Sequence, residues 1–352
     1  MDYTIFRNIL PMSWAFLVTI FAIPAIIHLA HKKRLLDEPN LRTMHEMKTP
    51  RLGGLAIFAG FISAITIFGN MNYSVQHLLA GCVIIFFIGL KDDIEAVSPF
   101  KKFFIQVLAT IIVMFMGDTY ITNFYGVFGI EELDQGISYL FTFFVIIGIT
   151  NAFNLIDGLD GLAGSIGAIA TSTFALYFAF SEEVKYSVYS YVAFSLLGSI
   201  VGFLRYNMSK AIIFMGDTGS LLMGFILSVL SVKFIEMKPT ANAPAMAMAI
   251  LIIPITDTLR VFFLRVINGK SPFSPDKNHI HHRLIGLGFS QIAVVALLCT
   301  INMIIVVLML LSKDVYGTMP VLGVVLYGVV LSVVIELVHQ LKVKRQKQNV
   351  AS

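Results

Sequence analysis

Long apolar runs separated by short polar breaks make up nearly the whole chain. Runs able to span a bilayer, at roughly 20 residues per helix, fall near residues 9–30, 52–70, 75–90, 103–116, 137–153, 161–180, 186–204, 218–235, 243–266, 290–312 and 318–341. This pattern predicts an all-α polytopic membrane protein with about eleven transmembrane helices. The runs at 75–90 and 103–116 are short, and tilt or polar ends can hide residues from a simple window. One sizeable break, 117–136, carries Thr, Tyr, Phe, Val and Ile over 120–130, with Gly126 and Gly129 as breakers. It predicts a small outer β-hairpin. With no internal repeat and no low-complexity tract, residues 1–341 read as a single membrane domain, followed by a basic tail at 342–352.

Composition agrees. Of 352 residues, 57% are hydrophobic and 13% charged, against about 25% charged in ordinary soluble domains. The first apolar run ends in His31-Lys32-Lys33-Arg34, not in a small-residue cleavage site, and so reads as a retained anchor. Cys82 and Cys299 lie within apolar runs and make no case for a disulfide framework or a cysteine-based metal site. Sorted by alternate breaks, 19 of the 25 Lys and Arg fall in one set and five in the other, with Arg260 inside a span. The positive-inside rule then puts the N-terminus outside and the tail in the cytoplasm.

Four polar islands interrupt the apolar pattern, all in the basic, cytoplasmic set. The first is Lys91-Asp92-Asp93. The second, N-A-F-N-L-I-D-G-L-D-G at 151–161, holds Asn151, Asn154, Asp157 and Asp160. The third is Phe214-Met215-Gly216-Asp217-Thr218-Gly219-Ser220, and the fourth His279-Ile280-His281-His282. Carboxylates beside hydrocarbon mark a functional site by default. Asp92 and Asp93 point about 100° apart on a helix and so take different jobs. Asp157 and Asp160, three apart, can share one helical face, with Gly158 and Gly161 letting backbone approach a ligand. The turn before 218–235 can present N–H groups to phosphate. The histidines lack the H-E-x-x-H spacing of zinc proteases and have no cysteine nearby, so they read as phosphate or leaving-group contacts. Lys48 and Arg265 read likewise, and Asp257 and Arg260, at i and i+3, as a self-neutralising pair. The spans between islands look nearly free of charge. Few carboxylates plus phosphate oxygens suit Mg²⁺, and the parts together suit metal-assisted phosphoryl transfer at a membrane surface. A transporter would more often carry its charges near the bilayer midplane.

These motifs, in this order and over nearly the whole chain, resemble those of the polyprenyl-phosphate N-acetylhexosamine-1-phosphate transferases. The resemblance implies transfer of a sugar 1-phosphate from a UDP-N-acetylhexosamine to undecaprenyl phosphate, with release of UMP. Such a reaction would start cell-surface polysaccharide synthesis at the bacterial inner membrane. It implies Mg²⁺, for which Mn²⁺ substitutes. Asp92 resembles the residue proposed to deprotonate the lipid phosphate, Asp93 its partner in metal or lysine contacts, and Asp217 the principal metal ligand. Asn154, Asp157 and Asp160 match the segment that shapes the nucleotide and metal site. Lys48 and Lys102 match lysines near the phosphates, Asn207 a polar residue before the Gly-Asp motif, and Phe214 an aromatic near uracil. The histidine loop departs from the H-H-H-x-E of the muramoyl-pentapeptide branch, which favours a simple N-acetylhexosamine, GlcNAc first and GalNAc, QuiNAc or FucNAc as alternatives. The expected partners are undecaprenyl phosphate, the UDP-sugar and the lipid bilayer; homodimerisation through a span face is open, and no nucleic acid is expected.

Overall fold

The computed structural model describes residues 2–35, 49–69, 72–208, 210–269, 271 and 278–351, and the side chains of those from 7 to 342. The chain runs through α1 (Asp2–Lys33), α2 (Gly53–Phe68), α3 (Tyr73–Ile94) and α4 (Pro99–Ile111, continued by a π-helical turn over Ile112–Met116). Then come β1 (Asn123–Val127), β2 (Ile130–Glu132), α5 (Gln135–Ile156), α6 (Leu162–Ala179), α7 (Val184–Asn207) and α8 (Gly216–Met237). It closes with α9 (Ala243–Ile250), α10 (Ile252–Ile267), α11 (Ile280–Gly286), α12 (Gln291–Leu311) and α13 (Thr318–Ala351).

Among the described residues, nine helices are long and apolar enough to cross a membrane, and the bent pair α9–α10 makes a tenth. The all-α polytopic expectation stands, and only the count of eleven is revised. The eleventh run is α2, whose 16 residues rise only about 24 Å.

The bundle is built around α8, in which every residue from Thr218 to Ile235 is buried. Glycines let neighbouring backbones touch its first turn. A Cβ at Gly54 of α2 would lie 2.1 Å from the Gly219 nitrogen, and one at Gly89 of α3 would lie 2.5 Å from the Thr218 Cα. Small residues at such crossings replace a hydrophobic drive that lipid cannot supply. They also pin the ends of α2 and α3 to the turn that carries Asp217.

At the other end of α8 lies the predicted hairpin, with Asn123 opposite Glu132 and Val127 opposite Ile130. Its turn holds Gly126 and Gly129 at φ +76° and +74°, a region open to glycine. The Glu236 carboxylate accepts the Thr122 N–H at 2.8 Å, and the Lys238 ammonium lies 4.5 Å from the centre of the Tyr125 ring. The hairpin is thus clasped to the bundle at the end remote from Asp217.

The span at 243–266 is broken by 76° between α9 and α10. Pro254 in the first turn of α10 has no N–H to give and crowds the carbonyl four residues back, a common cause of a kink. Asn302, fully buried on α12, donates its amide to the freed carbonyls of Ala249 at 3.2 Å and Ile250 at 3.3 Å. That is how a break is tolerated inside a bundle.

Candidate active site

The islands converge at one end of the bundle. The centre is Lys102, on the first turn of α4, whose ammonium lies 2.9 Å from Asp92 Oδ2 and 2.7 Å from Asp217 Oδ2. Asp92 also accepts the Val97 N–H at 2.7 Å, which folds the α3–α4 connection back on itself. Asp93 has a different task, as the helix geometry suggested: it caps α8. Its Oδ1 accepts the Asp217 N–H at 2.7 Å, and its Oδ2 accepts the Thr218 N–H at 3.0 Å and the Thr218 hydroxyl at 2.5 Å. A carboxylate at a helix N-terminus satisfies orphan donors and opposes the dipole. The consequence is a correction: those first-turn N–H groups of α8 are committed to Asp93 and are not open to phosphate.

Asp157 and Asp160 do not share a helical face, because α5 ends at Ile156 and Asp157 is its C-terminal cap. Gly161, at φ +78°, starts α6. Asp160 accepts the Ala211 N–H at 3.1 Å. Asp157 is half-buried, and its carboxyl is pushed well above the usual carboxylate range, first by desolvation and then by the charges of Asp217, Asp93 and Asp160. The two glycines face protein: a Cβ at Gly158 would lie 2.8 Å from His281 Nε2, and one at Gly161 2.9 Å from the Met208 sulfur.

Several residues expected to touch substrate make contacts that hold the scaffold. Asn207, buried, accepts the Gly161 N–H at 2.8 Å and donates to the Ile213 carbonyl at 2.9 Å. Asn151 donates to Gln106 Oε1 at 2.7 Å, and Asn154 to the Ser220 hydroxyl at 3.0 Å. Gln106 was missed; a buried glutamine in a span is the signal that would have found it. Phe214 lies beside the 50–54 segment, donating its N–H to the Pro50 carbonyl at 2.8 Å and accepting from Gly53 at 2.9 Å. Lys48 lies outside the described residues.

The histidine island caps and opens α11. His279 Nδ1 lies 2.8 Å from Asp257 Oδ2, and the Ile280 N–H donates to Asp257 Oδ1 at 2.7 Å. Asp257 and Arg260 are therefore not a pair, since i and i+3 on α10 are drawn to different partners. Arg260 donates to Glu336 on α13 and to the Asn278 carbonyl, each at 2.5 Å. Glu336 was also missed, although a lone carboxylate in an apolar span is a signal in itself. The spans are thus less free of charge than their hydropathy suggested. His281 is 2% exposed, and burial, then the neighbouring His282, pushes its pKa down to about 3. Arg265 is buried near the Phe262 ring, 6.0 Å from its centre.

The donor set suits a hard divalent cation. An ammonium already sits between two carboxylates, and burial, then the neighbouring carboxylates, raises Asp157 beside them. Among the described residues no three His, Cys, Asp or Glu side chains are grouped to hold a metal ion, so an ion here would need substrate phosphates to complete its shell.

Residues 75–235, from the start of α3 to the end of α8, match glycosyl transferase family 4. A probable undecaprenyl-phosphate N-acetylglucosaminyl 1-phosphate transferase of Bacillus subtilis (strain 168) is 33% identical over 294 residues, covering 83% of this chain and 81% of the relative. The chain belongs to this family. Within it, the undecaprenyl-phosphate alpha-N-acetylglucosaminyl 1-phosphate transferase of Salmonella typhi is 30% identical over 288 residues, 78% of this chain and 77% of that one. Its counterpart in Escherichia coli (strain K12) is 29% identical over 270 residues, 74% and 72% of the two chains. The family match spans Asp92, Asp93, Lys102, Asp157, Asp160 and Asp217, the residues that the fold gathers at one end of α8.

Proposed function

We propose that the chain transfers N-acetylglucosamine 1-phosphate from UDP-GlcNAc to undecaprenyl phosphate at the cytoplasmic membrane face, releasing UMP. The observation that carries this reading is Lys102 held between Asp92 and Asp217, a cation and two carboxylates where three segments of the family match meet. The relatives' names supply the acceptor and the sugar. The excess of Lys and Arg in the breaks at this end supplies the face.

A lipid phosphate oxygen would attack the β-phosphorus of the donor. The bond from that phosphorus to the bridging oxygen breaks, and UMP leaves with the electron pair. The attacking oxygen is already anionic, so no strong base is needed, and Asp92 serves to hold Lys102. Two anionic reactants must meet, so cations aimed at the transferring phosphoryl group carry most of the catalysis. Lys102 is placed to do this when it turns from Asp217 towards phosphate. Mg²⁺, or Mn²⁺ in its place, held by Asp217 and Asp157, would supply further charge neutralisation when bound. The lipid tail would take an apolar cavity of the bundle. This cavity, of about 580 Å³, lies between α5, the bent α9–α10 pair and the hairpin, lined by Ala152, Leu251 and Phe262 and, at the hairpin, by Phe124 and Val127. Ala152 stands two residues before Asn154, and Phe262 three before Arg265, so the cavity and the polar site are served by the same two helices.

The test is UMP release by purified protein in detergent, with undecaprenyl phosphate, Mg²⁺ and a panel of UDP-sugars. Release with UDP-GlcNAc alone supports the reading in full. Release with another UDP-N-acetylhexosamine moves the donor to GalNAc, QuiNAc or FucNAc. No release with any donor from folded protein overturns it.

A further inference from the structure

Asp257 lies on α10 inside a span, 2% exposed, and both its oxygens are committed to the chain that follows α10. One faces His279 Nδ1 at 2.8 Å and the other accepts the Ile280 N–H at 2.7 Å. An ionised carboxylate can only accept. The His279 ring must therefore carry its proton on Nδ1, which leaves Nε2 as the nitrogen able to meet a substrate. The second bond anchors the first residue of α11, the helix that carries His281 and His282. His281 in turn lies against Gly158, close enough that a Cβ there would reach 2.8 Å from Nε2, and Gly158 follows Asp157. A line of contact thus runs from Asp257 through the histidine island to the turn expected to hold the metal.

The rest of the surroundings hold the same segment from outside. Arg260 grips the Asn278 carbonyl and Glu336. Arg283 donates to Asn278 Oδ1 at 2.7 Å and lies 3.1 Å from His339 Nδ1. Those contacts fix where the segment sits. Among the described residues, the Asp257 contact is the one that selects which nitrogen of His279 is protonated.

We infer that Asp257 is a positioning residue: it sets the tautomer of His279, leaving Nε2 as a bare acceptor for an O–H or N–H of the donor sugar, and it registers α11 against the Asp157 turn. The inference rests on the transferase reading for its substrate, but the tautomer can be read without any substrate. Asp257→Asn is the informative change. It keeps the size and an oxygen for the Ile280 N–H, but its amide would present a donor to Nδ1 and drive the ring proton to Nε2.

The experiment uses full-length protein in detergent labelled with ¹⁵N-histidine, the His279 signals being those lost in His279→Ala. The wild type should show Nδ1 protonated, and Asp257→Asn should show it bare. In the UMP-release assay Asp257→Asn should raise the KM for UDP-GlcNAc by about tenfold, the scale of losing one oriented hydrogen bond accepted by Nε2. The KM for undecaprenyl phosphate should move less than about twofold on the same scale. Placed in the His279→Ala background, it should cost little more, because two residues acting through one contact do not add. A bare Nδ1 in the wild type overturns the inference whatever the variants do. So do an unchanged Nδ1 in a folded Asp257→Asn protein and full multiplication of the two losses in the double variant. A wild-type enzyme with the predicted tautomer but no UMP release would sink the transferase reading and leave the tautomer assignment standing.

Discussion

Replacing Lys102 by Met should change metal affinity and turnover in opposite directions. Asp92 and Asp217 each reach the same ammonium, so their nearest oxygens are no further apart than the 2.9 Å and 2.7 Å legs laid end to end, about 5.6 Å. With the ammonium gone, two unit charges at that separation repel by about 3 kcal/mol at an effective dielectric of about 20. The three side chains are 23%, 15% and 26% exposed, so solvent screens this only in part. One carboxylate can relieve some of the repulsion by taking up a proton. A Mg²⁺ ion at Asp217 would relieve the rest and would no longer compete with an ammonium. The half-saturating Mg²⁺ concentration of Lys102→Met should therefore fall about tenfold, since 1.4 kcal/mol is a factor of ten. Turnover should drop about a hundredfold or more because the phosphoryl group loses its cation. Calorimetric titration of Mg²⁺ into purified variant, with UMP release at saturating Mg²⁺, reads both. Weaker Mg²⁺ binding in the variant, or turnover within threefold of wild type by the same rate arithmetic, would refute the assignment of Lys102 as a cation shared between the carboxylates and the substrate.

Asp157 holds its proton to higher pH in the folded, metal-free protein than in the unfolded chain. It therefore costs stability as pH rises from about 4, the unfolded value, through its folded pKa. Asp157→Asn should raise the metal-free Tm at pH 8 more than at pH 5, and should blunt the stabilisation by Mg²⁺; thermal unfolding in detergent at the two pH values checks the sign. Gly158→Ala would place a methyl 2.8 Å from His281 Nε2, and a loss of about tenfold or more in turnover is expected, because small displacements at a site are costly. Gly323→Ala, where a Cβ meets nothing within 4 Å, is the control and should leave the rate of UMP release unchanged. Asn302→Leu deletes both bonds to the carbonyls of the α9–α10 break, at about 1 kcal/mol each, and should lower the Tm measured by the same thermal scan.

Hydropathy made the spans legible because a bilayer demands apolar length, and the breaks that resisted it were the site. The hairpin was legible from β-formers around Gly126 and Gly129. What went unread were polar residues acting across the bundle. Asp93 sits beside Asp92 in the chain and yet works on α8, because a helix N-terminus with free N–H groups is brought to it by glycine contacts at Gly54 and Gly89. Asp257 and Arg260 have the spacing of a pair, but a buried imidazole and a distant carboxylate outbid each for the other. Asp157 and Asp160 have helical spacing on a stretch where Gly158 and Gly161 have ended the helix. Asn302 and Glu336 are single polar residues in long apolar runs, whose purpose appears only when the break at Leu251 and the guanidinium of Arg260 are placed opposite them.

The central claim is that the bond between the two donor phosphates is broken and that the β-phosphate passes to the lipid. Purified enzyme with undecaprenyl phosphate and Mg²⁺ should be given UDP-GlcNAc labelled with ³²P at the β-phosphate in one reaction and at the α-phosphate in another. The account predicts β-label in the organic-extractable lipid and α-label in water-soluble UMP, with both transfers lost in Asp217→Asn. Label from both positions in UDP, with only the sugar moved to lipid, would contradict it.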